Sequence, residues 1–182
     1  MNKHSVRSIA LLCSSISFVL LASQSAFAET KTIEPATGHW YGAVDVGSNT
    51  LYATNGRQFA TTSSGMQVTA KVGYSMNGPR VELESSVGSL ASGAASFNGT
   101  GVNAYYDFQT GSTRPYVGIG YGFGGVGTSG GNSSGSILQS KIGVSFESNP
   151  GSNFYVELRG IQSTDSTSSG IASLNVGNTF RF

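Results

Sequence analysis

The chain has 182 residues, about one domain by length, and its ten Lys/Arg against nine Asp/Glu give a formal charge of +1. So even a balance leaves no basic patch to track phosphates, which disfavours nucleic-acid binding. No stretch beyond residue 28 approaches the ~18 consecutive apolar residues of a membrane helix, and the single cysteine, Cys13, lies before that point, so the processed chain has no disulfide and no thiol ligand or nucleophile.

The amino-terminus reads as a secretory signal peptide. Lys3, His4 and Arg7 form a basic region, residues 9–21 an apolar region, and Ala26-Phe27-Ala28 a small-x-small cleavage site. Residues 1–28 are therefore expected to be removed after Sec-type export, leaving 29–39 as a short periplasmic leader before a domain over 40–182. Period-two alternation then predicts eight strands, at residues 40–48, 66–74, 80–88, 101–108, 115–124, 137–146, 153–161 and 172–182. Most run eight to eleven residues, near the ~9–11 that a tilted transmembrane strand needs.

The connections alternate in length. Residues 49–65, 89–100, 125–136 and 162–171 are long and rich in Gly, Ser, Thr and Asn, and Arg57 and Asp165 are their only ionisable residues. The turns at 75–79, 109–114 and 147–152 are short and carry Asn-Gly, Gly-Ser and Asn-Pro-Gly chemistry. Long loops at one end and short turns at the other are the mark of an outer-membrane barrel.

The two faces of the strands differ sharply. One parity carries apolar residues and no charge, including Val44, Val46, Val72, Leu83, Val102, Ile119, Leu158 and Val176. Aromatics suited to the lipid interface share it: Trp40, Tyr74, Phe108, Phe146, Phe154, Phe180 and Phe182. The opposite parity collects Asp45, Lys71, Arg80, Glu82, Glu84, Asp107, Lys141, Glu157, Arg159 and Arg181, five bases and five acids. A Lys or Arg at the lipid midplane costs ~2–4 kcal/mol, so a charge-free face implies lipid outside and a polar lumen inside. A soluble barrel would reverse the faces. Gly118, Gly120, Gly122 and Gly124 line the inward face of the fifth strand, with Gly73 and Gly143 inward elsewhere, leaving room for inward Tyr41, Tyr105, Tyr116 and Tyr155. The fold class is an all-β, eight-stranded antiparallel transmembrane up-and-down barrel with four long external loops and three short periplasmic turns. Eight strands enclose an interior just wide enough to be filled by side chains.

Several segments, in order along the chain, carry a resemblance: Trp40-Tyr41-Gly42, Arg80-Val81-Glu82-Leu83-Glu84, Asn103-Ala104-Tyr105-Tyr106-Asp107-Phe108, Arg114-Pro115-Tyr116-Val117-Gly118-Ile119-Gly120 and Phe180-Arg181-Phe182. Together they resemble the OmpA-like and opacity-type family of eight-stranded outer-membrane proteins. The resemblance implies a Gram-negative cell outer membrane and a last strand, ending in Phe180 and Phe182, that serves as an assembly signal for the barrel-assembly machinery. It also implies envelope anchoring, adhesion, host binding or narrow pores as the range of activities. The sequence ends at Phe182, and a peptidoglycan-binding module of the kind in full-length OmpA is not expected.

Three readings of function follow. A surface scaffold would meet external protein or glycan ligands through its loops, with lipid and lipopolysaccharide around a monomeric body. Its lumen would be plugged by paired acids and bases, with Glu82, Glu84, Arg159 and Arg181 among them, because buried charges persist only when paired. The alternative is a narrow porin-like channel for small solutes or ions. An enzyme is disfavoured: a Ser-His-acid site needs a base, and His39, the only histidine after the signal peptide, falls at the short-turn end. One histidine and no thiol leave only base-paired carboxylates for a metal, so no metal or cofactor is expected.

Overall fold

The computed structural model describes residues 38–54, 59–90, 95–108, 112–128, 131–149, 151–164 and 169–182. The expected signal peptide, nearly all of the expected leader, Arg57, Asp165 and residues 109–111 of the second short turn lie outside them. Eight strands are present: β1 (His39–Thr54), β2 (Phe59–Ser75), β3 (Pro79–Leu90), β4 (Ala95–Asp107), β5 (Thr113–Thr128), β6 (Gly131–Asn149), β7 (Ser152–Ser163) and β8 (Ser169–Arg181). Each pairs antiparallel with its neighbours, and β8 pairs with β1 to close the barrel.

Closure with a stagger sets the tilt. Paired residues followed round the barrel run Tyr41, Gly73, Glu82, Asn103, Gly120, Gln139, Ile161, Ile171 and back to β1 at Leu51, ten residues further on. A shear of ten over eight strands tilts them by about 40° from the axis, given the usual strand spacings. Each residue then rises roughly 2.5 Å along the axis, so a ~25 Å apolar band takes about ten residues per strand.

The strands run past that band. All eight expected strands exist, but β1, β2, β5 and β6 have 16, 17, 16 and 19 residues. Most of the residues assigned above to the four long loops are paired strand instead. The Gly-, Ser- and Thr-rich composition that suggested loops suits a hairpin standing in water, where neither face need be continuously apolar. At the other end the turns are tight. Gly78 (φ 130°) and Gly151 (φ 87°) take the left-handed conformations that reverse the chain there, which side chains disfavour.

Inward packing is built on tyrosine set against glycine. The four inward tyrosines pair across strands with glycines: Tyr41 with Gly73, Tyr105 with Gly118, Tyr116 with Gly143 and Tyr155 with Gly177. A Cβ at Gly118 would sit 2.4 Å from the Tyr105 ring, and one at Gly143 2.4 Å from that of Tyr116. The missing side chains are what let the rings lie flat across the neighbouring strand.

Candidate functional site: the lumen and its two ends

Viewed from the short-turn end upward, the lumen is stacked in tiers, each made by the inward parity of several strands. Lowest is the tyrosine collar, with Tyr41, Tyr105, Tyr116 and Tyr155 all buried. Their hydroxyls point up into the barrel. Tyr41 donates to Glu82 (2.5 Å), Tyr116 to Glu157 (3.2 Å) and Tyr155 to Asp45 (2.7 Å), while Lys141 donates to the Tyr105 oxygen (3.0 Å).

Above the collar lies a charged tier. Lys71 sits 3.0 Å from Asp45 and 3.4 Å from Glu157. Arg159 reaches Glu157 (3.1 Å), Glu84 (3.3 Å) and Asp45 (3.8 Å), and Lys141 pairs with Glu84. These six groups and Glu82 come from five strands and cross the lumen. Arg159 is 2% exposed and Glu82 1%, so at this depth a charge without its partner would be strongly destabilising. Arg80 joins from below, bonding Glu82 (2.8 Å) and Asp107 (3.1 Å) while its guanidinium covers the rings of Tyr105 and Tyr116.

One expected member is not there. Arg181 has the inward parity, but it sits at the end of β8 on the rim, exposed, and forms no ion pair with a described residue. The interlinked groups are therefore five acids (Asp45, Glu82, Glu84, Asp107, Glu157) and four bases (Lys71, Arg80, Lys141, Arg159), not five of each.

Higher still is an amide tier. Gln67 donates to Asn175 (2.5 Å) and Ser173 (3.3 Å), and Asn175 to Ser173 (3.1 Å). The side-chain amides of Asn49, in this tier, and of Asn103, lower down beside Glu82, are buried and have no protein partner among the described residues. Topmost is an apolar tier that sequence reasoning did not foresee. Leu90, Phe97, Ile137, Ile161 and Ile171 pack together in the lumen, joined by Leu51, Ala95 and Val126, so seven strands contribute. The signal was present: Phe97 continues the inward parity of β4, between exposed Ser96 and Asn98.

Outside, the opposite parity presents apolar side chains. Trp40, Val44, Val46, Leu83, Val102, Ile119, Leu158 and Leu174 are exposed on the isolated chain. The interfacial aromatics form a girdle at the short-turn end, where Trp40 pairs with Tyr74 across β1–β2 and Phe146 with Phe154 across β6–β7. The Trp40 and Tyr74 rings meet edge-on at 5.3 Å. Phe180 and Phe182 are exposed beside them, and Phe108 stacks edge-on with Tyr106 at 5.3 Å.

Comparison with known proteins agrees with this architecture. Residues 14–182 match the family model described as outer membrane protein beta-barrel domain. Among solved structures, Neisserial surface protein A (NspA) superimposes with a TM-score of 0.67 at 18% identity, covering 80% of this chain and 99% of that one. The N-terminal β-barrel domain of Pseudomonas aeruginosa OprF gives 0.58 at 18%, covering 80% of this chain and 100% of that one. A search of curated proteins finds no match.

Proposed function

Because this chain belongs to the outer membrane protein beta-barrel domain family, we propose that it is a non-conducting surface scaffold of the outer membrane. In this reading, lipid and lipopolysaccharide cover the apolar band, the barrel-assembly machinery inserts the protein, and a monomer presents its outer hairpins for adhesion, envelope integrity or host contact. The supporting observation is the lumen, crossed by a charged tier and again by an apolar tier. Ions passing the first would have to shed water against the second, the way hydrophobic constrictions close channels.

The reading is also non-enzymatic. The sole histidine beyond residue 28, His39, lies at the foot of β1, with Arg80, Asp107, Arg114 and Arg181 as the charged residues around the mouth, and not near the outer rim where a lipid-directed site would need a base.

Planar-bilayer recording tests the closed lumen: the purified barrel is expected to give no steady openings, and a large, stable single-channel conductance would overturn the proposal. Shortening each outer hairpin in turn and assaying adhesion and serum resistance tests the surface role, which fails if no deletion changes either. A narrow channel is the second reading. It is favoured by the unpartnered amides of Asn49 and Asn103, since buried polar groups require a partner and water would supply it.

A further inference from the structure

The short-turn mouth of the barrel is a concave vestibule, partly open to solvent. In an outer-membrane barrel this end faces the periplasm. Arg80, Arg114, Arg181 and His39 line it, with Asp107 as the one carboxylate among the lining residues. Arg80 is taken up by Asp107 and by Glu82 above it, so the charge left to the vestibule is that of Arg114 and Arg181, with His39 neutral.

The neighbouring acids do not cancel that charge. Asp107 is already held by Arg80. Glu147 approaches Arg114 only to 3.7 Å, and both side chains are substantially open to water, where such a pair is weak. Arg181 has no ion-pair partner among the described residues. The acids of the charged tier lie beyond the tyrosine collar, whose hydroxyls turn toward them and away from the mouth. The rim itself is fastened: the Arg181 amide bonds the Gly151 carbonyl (2.8 Å) and the Phe182 amide that of Trp40 (3.2 Å). Two guanidiniums thus project from fixed strand ends on β5 and β8 into one concave space with a closed floor.

We propose that this vestibule is an anion-binding site, open to the periplasm, that takes a compact phosphate-type oxyanion. Arg114 and Arg181 supply forked donors that suit phosphate oxygens, while Arg80 keeps Asp107 occupied at the floor. A divalent cation is opposed by the field, and a neutral sugar would leave both guanidiniums without a counter-charge. The same phosphate chemistry could come from a soluble phosphomonoester or from an inner-leaflet lipid headgroup.

The test is a titration of inorganic phosphate into the isotope-labelled barrel in a sugar-headed, non-ionic detergent, at ionic strength held constant with chloride. Saturable NMR shifts confined to the amides around His39, Arg114, Asn153 and Arg181 are expected. The double variant R114Q/R181Q should weaken binding at least tenfold while keeping the heat-dependent gel mobility of a folded barrel. Glu147→Gln should tighten it about two- to threefold by releasing Arg114. Repeating the titration in phosphatidylglycerol and phosphatidylcholine nanodiscs separates the sources. Apparent phosphate affinity at least threefold weaker in the anionic lipid assigns the site to a headgroup; equal affinity assigns it to a soluble ligand. Shifts that follow ionic strength without saturating, or that persist unchanged in R114Q/R181Q, overturn the proposal.

Discussion

The lower and upper parts of this barrel use the same eight strands with opposite polarity. Around the charged tier, Val44 and Val46 flank Asp45, and Val156 and Leu158 flank Glu157: apolar outside, charged inside. Around the apolar tier, Ser96 and Asn98 flank Phe97: polar outside, apolar inside. Strand geometry is continuous through β4, which pairs without a register shift along its length. What changes is the solvent. Lipid surrounds the lower part and leaves the lumen as the place for charge. Water surrounds the upper part and drives apolar side chains inward, as in any soluble barrel. The inversion in sequence therefore marks the outer edge of the membrane on the strand itself.

The largest expected effect breaks the lower part. Arg159→Met removes the base that touches Asp45, Glu84 and Glu157, leaving these buried carboxylates to Lys71 and Lys141. Losing one partner of such a network costs about 3–5 kcal/mol. Urea unfolding in liposomes, followed through Trp40, the only tryptophan, reads the loss directly. A shift below about 1 kcal/mol would mean that the tier is not what holds the lower lumen together.

Next comes a pair of variants that locates the membrane edge. Leu158→Arg places a charge on the lipid face beside the charged tier and should cost about 2–4 kcal/mol. Ser96→Arg places the same charge on the outward face beside Phe97 and should cost close to nothing. Equal losses at the two positions would refute the assignment of Ser96 to water.

This inversion also explains what could be read from the sequence. The eight strands, their antiparallel order and the charge-free face were legible because alternation is strict where lipid demands it. Leu90, Phe97 and Ile171 were hidden inside segments whose Gly, Ser and Thr content reads as loop, and Ile137 and Ile161 stood at the ends of expected strands on the parity read as polar lumen. Their alternation continues, with its sign reversed, and a search keyed to apolar-outward strands passes over it. Parity identified the inward charges, yet it carries no height along the barrel, which is why Arg181 was placed in the lumen and lies on the rim. Nor does it give partners. Lys71 on β2 meets Glu157 on β7, 86 residues away, and that encounter depends on the shear of the closed barrel, which no local pattern encodes.

A smaller effect separates the collar from the tier above it. Tyr155→Phe keeps the ring over Gly177 and deletes only the hydroxyl that donates to Asp45. Lys71 still holds that carboxylate at 3.0 Å, so the loss is expected near 1.5 kcal/mol, the scale of one hydrogen bond to a charged group. A loss as large as that of Arg159→Met would merge collar and tier into one unit and erase the distinction drawn between ring packing and charge pairing.

The smallest effect contrasts a charge pair in water with those in the lumen. Arg114 and Glu147 stand 3.7 Å apart with side chains 29% and 46% exposed, whereas Lys71 and Asp45 are 2% and 0% exposed at 3.0 Å. Exposed pairs contribute about 0–1 kcal/mol, because water screens the attraction and holding two long side chains in place costs entropy. Glu147→Gln should therefore leave the urea midpoint within about 0.5 kcal/mol of the parent, and raising the salt concentration should not widen the gap. A loss above about 1 kcal/mol would show Arg114 to be engaged in structure, and it would then be unavailable to an anion at the mouth. An unchanged midpoint together with tighter phosphate binding would separate the two roles of charge in this barrel: buried pairs that hold the lumen, and an open cluster at the rim that is free to bind.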